Sequence, residues 1–316
     1  MTSDTQQTRH YRPPMQLGGR GHPQPQTRRW VAATCFLVPA CAILAIFVVA
    51  PMLSALRTSF FDSSGFGAET FVGFGNYIQV FTDPTFLKAF ANTALYAILF
   101  VPAAIVVSLL LALVMNSRVV PLRGVFRSAL FFPFIVSLAV AAFAWQYLLD
   151  PQVGLLNYWL QAVGIRLGNV LNSPTLAMPA VVLVAVWKNF GFYMVIFLAG
   201  LQDIPESLYE AARVDGAGAF RRFRSLTLPL LNNTMTFVVI FALIAALQAF
   251  DQIYVMTQGG PYHATDTVVT EIYQTGFQKL DLGVASALSY VLLFGTLVLS
   301  LVQFLLGSRR EKDLGA

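Results

Sequence analysis

Two short stretches of this chain combine the residue types that a polyhydroxyl solute would need. The first, Trp187-Lys188-Asn189-Phe190-Gly191-Phe192-Tyr193, sets hydrogen-bonding groups among aromatic rings. The second, Gln248-Ala249-Phe250-Asp251-Gln252, adds two amides and a carboxylate. A sugar ring has apolar faces that stack and hydroxyl edges that want polar partners, and small-molecule sites are built from that mixture. Lys188 stands inside an apolar run, where an ammonium costs about 2.5–3.5 kcal/mol on insertion scales, so it needs water or a partner. Three readings are open for it: cavity lining, a snorkel toward an interface, or an ion pair with Asp251. Phe190 and Phe192 also suit plain helix packing.

Other chemistries find no support. A GxxxxGK[ST] phosphate loop is absent, so the chain is not expected to hydrolyse ATP by itself. His10, His22 and His263 are scattered without ligand spacing, and no metal site is expected. Cys35 and Cys41 are six residues apart in one apolar run, where a helix points them to different faces and disfavours a local disulfide. No Ser/His/Asp set can be nominated. The chain is therefore not expected to be an enzyme.

The elements that position these stretches follow from composition. Of the 316 residues 57% are hydrophobic and 11% charged, against about 45–50% and roughly 25% in an ordinary soluble domain. The mean hydropathy is +0.67. A spanning helix needs about 20 apolar residues, and six runs qualify: 30–56, 89–117, the run between Arg127 and Asp150, roughly 176–201, the run from Arg224 to Asp251, and that from Asp281 to Arg309. The expected fold is an all-α polytopic membrane protein with six transmembrane helices. Basic residues concentrate in alternate segments: the tail (Arg9 to Arg29), 118–127, 202–228 and the C-terminus. Because Lys and Arg favour the cytoplasmic side, both termini are assigned to the cytoplasm of a cell membrane, inner or plasma. The formal charge of +5 is then an orientation signal, and no nucleic-acid partner is expected. Trp30, Trp145 and Trp159 fall near span ends, as interfacial aromatics do. Residues 1–29 are too polar to order themselves and are expected to be a disordered tail. Residues 30–308 form the membrane domain, with a loop at 203–229, and 309–316 form a second tail.

That loop is the most unusual segment. Asp203 followed by Glu206 has capping-box spacing, with Pro205 tolerated in the first turn, so a short helix is expected there. Ile204, Leu208, Ala211 and Ala212 recur at helical spacing, and Glu210 can meet Arg213 across one turn. Ala211 and Ala212 leave a shallow face for close approach. Asp215-Gly216-Ala217-Gly218 then interrupts the helix, and Phe220 to Leu226 makes a second amphipathic stretch before Pro229. Such a loop either lies on the membrane surface or docks into a partner's groove.

The string Glu210-Ala211-Ala212-Arg213-Val214-Asp215-Gly216-Ala217, followed by Leu228-Pro229, resembles the EAA signature of permease subunits in binding-protein-dependent ABC importers. The sequence around it, with "TQGGPYHAT" further on, is similar to the carbohydrate branch that includes the maltose and glycerol-3-phosphate importers. The resemblance is dense from Trp187 to Pro261 and extends over most of 30–308. It implies a second, related permease chain, two cytoplasmic ATPase subunits that hold ATP and Mg, and an extracytoplasmic binding protein that delivers a sugar or oligosaccharide. It implies that the loop helix is a coupling helix: Glu210 touches the ATPase, Ala211 and Ala212 allow close packing, and Asp215, Gly216 and Ala217 make the bend. In the family the solute route borders the two spans named first, which makes Lys188, Asn189, Tyr193, Gln248, Asp251 and Gln252 the candidate lining. This sequence departs from the maltose site: Ala245, Ala246 and Ala249 occupy much of a helix that is rich in asparagine and aromatics there. Gly259-Gly260-Pro261 reads as a sharp turn, which the resemblance places near the binding-protein docking surface. Three alternatives remain: an importer of glycerol 3-phosphate or a glycerophosphodiester, a stand-alone secondary transporter or channel with its own ion coupling, or a membrane scaffold whose cytoplasmic loop recruits a partner without transport.

Overall fold

The structure is a computed structural model that describes residues 26–65, 67–117, 120–164 and 168–313. Most of the expected tail lies outside the described residues; its last four residues are already helical. The chain divides into two compact units between Leu53 and Ser54. In the first, α1 (Gln26–Leu44) runs through a π-helical turn, Ala45–Val49, into α2 (Ala50–Thr58). Every described side chain from Thr34 to Leu53 is exposed, Phe36 and Phe47 among them. The 25 residues from Thr34 to Thr58 are long and apolar enough to cross a membrane.

The second unit takes in the end of α2 and then a short hairpin, β1 (Phe61–Asp62) antiparallel to β2 (Thr70–Phe71), with Phe61 opposite Phe71. It is the one departure from an all-α fold among the described residues. After α3 (Gly75–Thr82), the 33-residue α4 (Pro84–Asn116) begins where Asp83 accepts a 2.7 Å bond from the Thr85 amide and Pro84 takes the first turn.

The third apolar run is not one helix. It breaks into α5 (Arg123–Ile135) and α6 (Leu138–Leu148), bent by 94°. Pro133 lies in the last turn of α5, and Val136 and Ser137 are extended, so the chain leaves the helix where proline has already removed a backbone donor. The short α7 (Leu155–Ala162) leads to the 26-residue α8 (Ala177–Gln202). Next come α9 (Glu206–Val214), α10 (Ala219–Arg222), a π turn over Phe223–Thr227 and α11 (Leu228–Leu230). The fifth run is broken too: the segment 219–230 meets α12 (Asn232–Leu247) at 70°. Then α13 (Asp251–Met256), α14 (Val268–Tyr273) and a π turn over Gln274–Gln278 lead to α15 (Leu282–Asp313).

Among the described residues four helices are long and apolar enough to cross a membrane, and each bent pair supplies the length for one more. Of the six expected spans, the third and fifth are thus corrected from continuous helices to broken ones. The main core joins α4, α8, α12 and α13 through Tyr96, Phe100, Val184, Met194, Phe197, Val238 and Ile253. A second cluster, including Val80, Phe86, Val268 and Leu288, ties α3 and the start of α4 to α14 and α15.

Candidate functional site

A cavity opens where α12 ends and α6 begins. The residues between α12 and α13 leave helical geometry at Gln248 and Phe250, and the start of α6 faces this break. Between them lies a pocket of about 250 Å³ lined by Tyr96, Phe100, Leu138, Asn189, Ala245, Gln248, Ala249, Phe250, Asp251 and Gln252. Four of the six sequence candidates, Asn189, Gln248, Asp251 and Gln252, therefore meet in one place. Gln252 is buried, donates a 2.7 Å bond to the Tyr96 hydroxyl and keeps Oε1 without a hydrogen-bond partner. Asn189 donates to Ala185 O at 2.8 Å. The lining offers amides, a carboxylate and a phenol beside aromatic rings, a set that binds hydroxyls and holds no nucleophile with its base.

Lys188 and Tyr193 lie outside that lining. Tyr193 is buried in the main core with its ring 5.5 Å from Phe192. The Lys188 ammonium, also buried, donates to Phe134 O at 2.7 Å and sits 4.7 Å from the centre of the Phe134 ring. Phe134 is in the last turn of α5, whose final carbonyls have no helical partner. A cation there satisfies an orphan acceptor and faces the negative end of the helix dipole. Lys188 thus holds the end of a broken span, and no ion pair with Asp251 occurs among the described residues. Two neighbours fix the crossing: Phe134 stacks on Phe192 at 4.6 Å, and a side chain at Gly191 would collide with Leu130 O.

In the 203–229 loop the helix starts at Glu206, two residues later than a capping box would place it. Asp203 is instead the C-cap of α8, and Pro205 occupies the N-cap without a side-chain bond. Arg213 turns to Tyr209 O at 3.3 Å rather than to Glu210. The stop is well made. Gly216 has φ +72°, its amide donates to Arg213 O at 3.1 Å, and the Ala217 amide donates to Ala212 O at 2.9 Å. These two bonds define a Schellman motif, in which glycine takes the left-handed position at little cost. Tyr209 bonds Thr227 at 3.1 Å and so ties α9 to the returning chain. α9 buries no residue. Glu210 and Ala211 are exposed and Ala212 half-buried, while Val214 is 87% and Phe220 74% exposed. Behind α9 lies a cleft of about 590 Å³ with Arg123, Arg213 and Arg222 in its wall.

The third group, Gly259-Gly260-Pro261, opens a tightly bonded segment. Gly259 has φ +84°, and a Cβ there would overlap the Asp266 carboxylate, so the position needs glycine twice over. Thr265 bonds both Thr257 Oγ1, at 2.8 Å, and Gly260 O, at 2.9 Å. Asn92 of α4 donates to the carbonyls of His263 and Asp266, and Thr267 donates to Ala249 O at 2.9 Å. Burial pushes the Glu271 carboxyl above the usual carboxylate range; Asp266 and Asp83 push the same way, and Lys279 and His263 pull back.

Of the four lining residues outside the two stretches, Tyr96, Phe100, Leu138 and Ala245, Tyr96 is the polar one. Its signal was present: Asn92, Thr93 and Tyr96 are polar groups at helical spacing inside an apolar run.

The fold and cavity define a polytopic membrane transport component. A family model described as "Binding-protein-dependent transport system inner membrane component" matches residues 84–312, and the chain belongs to that family. It is 39% identical over 277 residues to the sulfoquinovosyl glycerol transport system permease protein of Agrobacterium fabrum, covering 85% of this chain and 89% of the relative. It is 38% identical over 280 residues to the sn-glycerol-3-phosphate transport system permease protein of Yersinia pestis, covering 87% and 94%. A crystal structure of a bacterial alginate ABC transporter, in complex with an alginate pentasaccharide-bound periplasmic protein, contains a chain that superposes with a TM-score of 0.77 at 26% identity, covering 88% of this chain and 93% of that one.

Proposed function

We propose that this chain is the permease subunit of an ATP-driven importer that takes up a sugar or oligosaccharide. The observation that carries the reading is the pocket where α12 ends and α6 begins, where Tyr96, Asn189, Gln248, Asp251 and Gln252 converge on one space. Its volume lies just under the range of about 300–1,000 Å³ usual for small-molecule sites, as suits a wall completed by a second, related permease chain. Lys188 and Tyr193 support the route from behind, Lys188 by holding the end of α5. The relatives named for a glycoside and for a glycerol phosphate, and the alginate transporter, support this class of solute. The lining carries a carboxylate and no cation, which favours a neutral glycoside over glycerol 3-phosphate or a glycerophosphodiester.

α9 is the coupling helix of this reading. Glu210, Ala211 and Ala212 meet one of two cytoplasmic ATPase subunits, where ATP and Mg are bound, and Asp215, Gly216 and Ala217 set the helix end; the exposed Val214 and Phe220 fit such a docking surface. The chain itself catalyses nothing, both termini are cytoplasmic, and the segment at Gly259, Gly260 and Pro261 faces the extracytoplasmic binding protein. The test is gentle solubilisation from the native membrane, identification of co-purifying chains, and ATP hydrolysis by wild type and Ala212→Trp. Recovery of an ATPase with wild type, and its loss with the tryptophan variant while the chain still inserts, is the expected result. Purification of the chain alone, even after mild cross-linking, would sink the reading in favour of a secondary transporter.

A further inference from the structure

The histidine that the sequence leaves isolated is brought against two carboxylates. His263, Asp266 and Glu271 place one ligand atom each within 4.8 Å of one another. Glu271 has no exposed surface, and neither of its carboxylate oxygens has a hydrogen-bond partner. Asp266, 2% exposed, accepts from His263 Nδ1 and, at 3.3 Å, from Gln274. Glu271 Oε1 stands 4.0 Å from the same His263 nitrogen. A wholly buried carboxylate with no donor is rare, because it carries its full desolvation cost without compensation. Here it lies beside a second buried carboxylate, and only the half-turned imidazole is open to solvent, at 59%.

The backbone holds this arrangement in place. Tyr262 and His263 are consecutive residues in the left-handed region, at φ +51° and +58°. Outside glycine this conformation is uncommon, asparagine, aspartate and histidine adopting it most readily, so Tyr262 is the rarer case of the two. Lys88 donates to Tyr262 O at 2.6 Å and Asn92 to His263 O at 2.8 Å, so α4 fixes both carbonyls. The result is an imidazole aimed at a pair of carboxylates under a lid of loop.

We propose that His263, Asp266 and Glu271 form a binding site for a divalent first-row transition cation, Zn²⁺ or Mn²⁺, on the 257–281 segment. One imidazole nitrogen and two carboxylate oxygens are the donor set such ions take, whereas Ca²⁺ and Mg²⁺ prefer oxygen alone. Bonds of about 2.0–2.2 Å require neighbouring donors about 3 Å apart. His263 Nδ1 therefore moves outward from Asp266 and Glu271 moves inward, and the exposed imidazole has room to do so. The ion gives Glu271 the partner that the protein does not supply. It also ties the start of α14 to the loop at His263, closing the segment on itself.

The experiment uses the full chain in lipid nanodiscs, with whatever subunits accompany it, and Mn²⁺ as probe. Free Mn²⁺ is read by electron paramagnetic resonance, with Zn²⁺, Ca²⁺ and Mg²⁺ as competitors. The expected result is one Mn²⁺ bound per chain, displaced by Zn²⁺ and not by equal Ca²⁺ or Mg²⁺. His263→Ala, at an exposed ring, and Glu271→Gln, which keeps shape, should each weaken binding by about tenfold or more, since even outer-shell partners are worth about 10–100-fold. Unchanged size-exclusion profiles show that the variants are folded. Equal Mn²⁺ binding in wild type and both variants, or no binding of Mn²⁺ or Zn²⁺ by wild type, overturns the proposal and leaves Glu271 a buried neutral acid.

Discussion

The segments 203–229 and 251–281 are of similar length and solve opposite problems. In the first, the whole of α9 stays at the surface and shows Val214 and, beyond the turn, Phe220 to solvent. In the second, Thr265, Asp266, Thr267, Thr270, Glu271 and Thr275 are all buried; the first four find hydrogen-bond partners there, while Thr275 Oγ1 and both Glu271 oxygens have none. One segment keeps its apolar groups outside; the other keeps its polar groups inside. A surface of the first kind is open to a partner, and its shape is set by backbone devices such as the Schellman turn. A segment of the second kind is held from within the protein and depends on interior fit.

The contrast predicts how each segment breaks. Gly259→Val should do the most harm, because it combines strain at φ +84°, about 1–3 kcal/mol, with a branched side chain driven into the Asp266 carboxylate. Quantitative blotting of membrane fractions should show strongly reduced chain, and a variant that accumulates and melts like wild type would mean the segment is not packed as described. Tyr209→Phe should cost about 1 kcal/mol through loss of the bond to Thr227, seen as a small fall in the thermal midpoint of the solubilised chain. Val214→Ser should change the stability of the isolated chain by less than about 0.5 kcal/mol while lowering solute uptake in cells. Uptake at wild-type level would remove Val214 from the docking surface and sharpen the comparison toward Glu210 and the two alanines.

Much of the first segment was legible in the sequence. Gly216 announces the stop of α9 because a left-handed residue is needed there, and the spacing of Leu208, Ala211 and Ala212 announces the helix. The start was misread, since Asp203 has the letters of a cap but is spent on ending α8. The second segment was hardly legible. Its order comes from partners such as Asn92, 171 residues from His263, and no local pattern carries that information. The broken spans were hidden for a related reason: hydropathy counts apolar length and is blind to a 94° turn inside it. Pro133 was the local clue. Lys188 shows the same limit, because its carbonyl partner exists only once α5 has ended.

The bonds from Asn92 and Thr93 into the buried segment have a mechanical consequence. Thr93 Oγ1 accepts from the Val268 amide at 3.0 Å, and Tyr96, in the cavity wall, follows one turn later on the same helix. The rise over those three or four residues is only about 5 Å. A push on the loop at Tyr262 or His263 is therefore delivered to a rigid crank whose other arm is the Tyr96 hydroxyl and the Gln252 amide bonded to it. Whatever leans on that loop leans, within a single helical turn, on the wall of the cavity that Tyr96 lines.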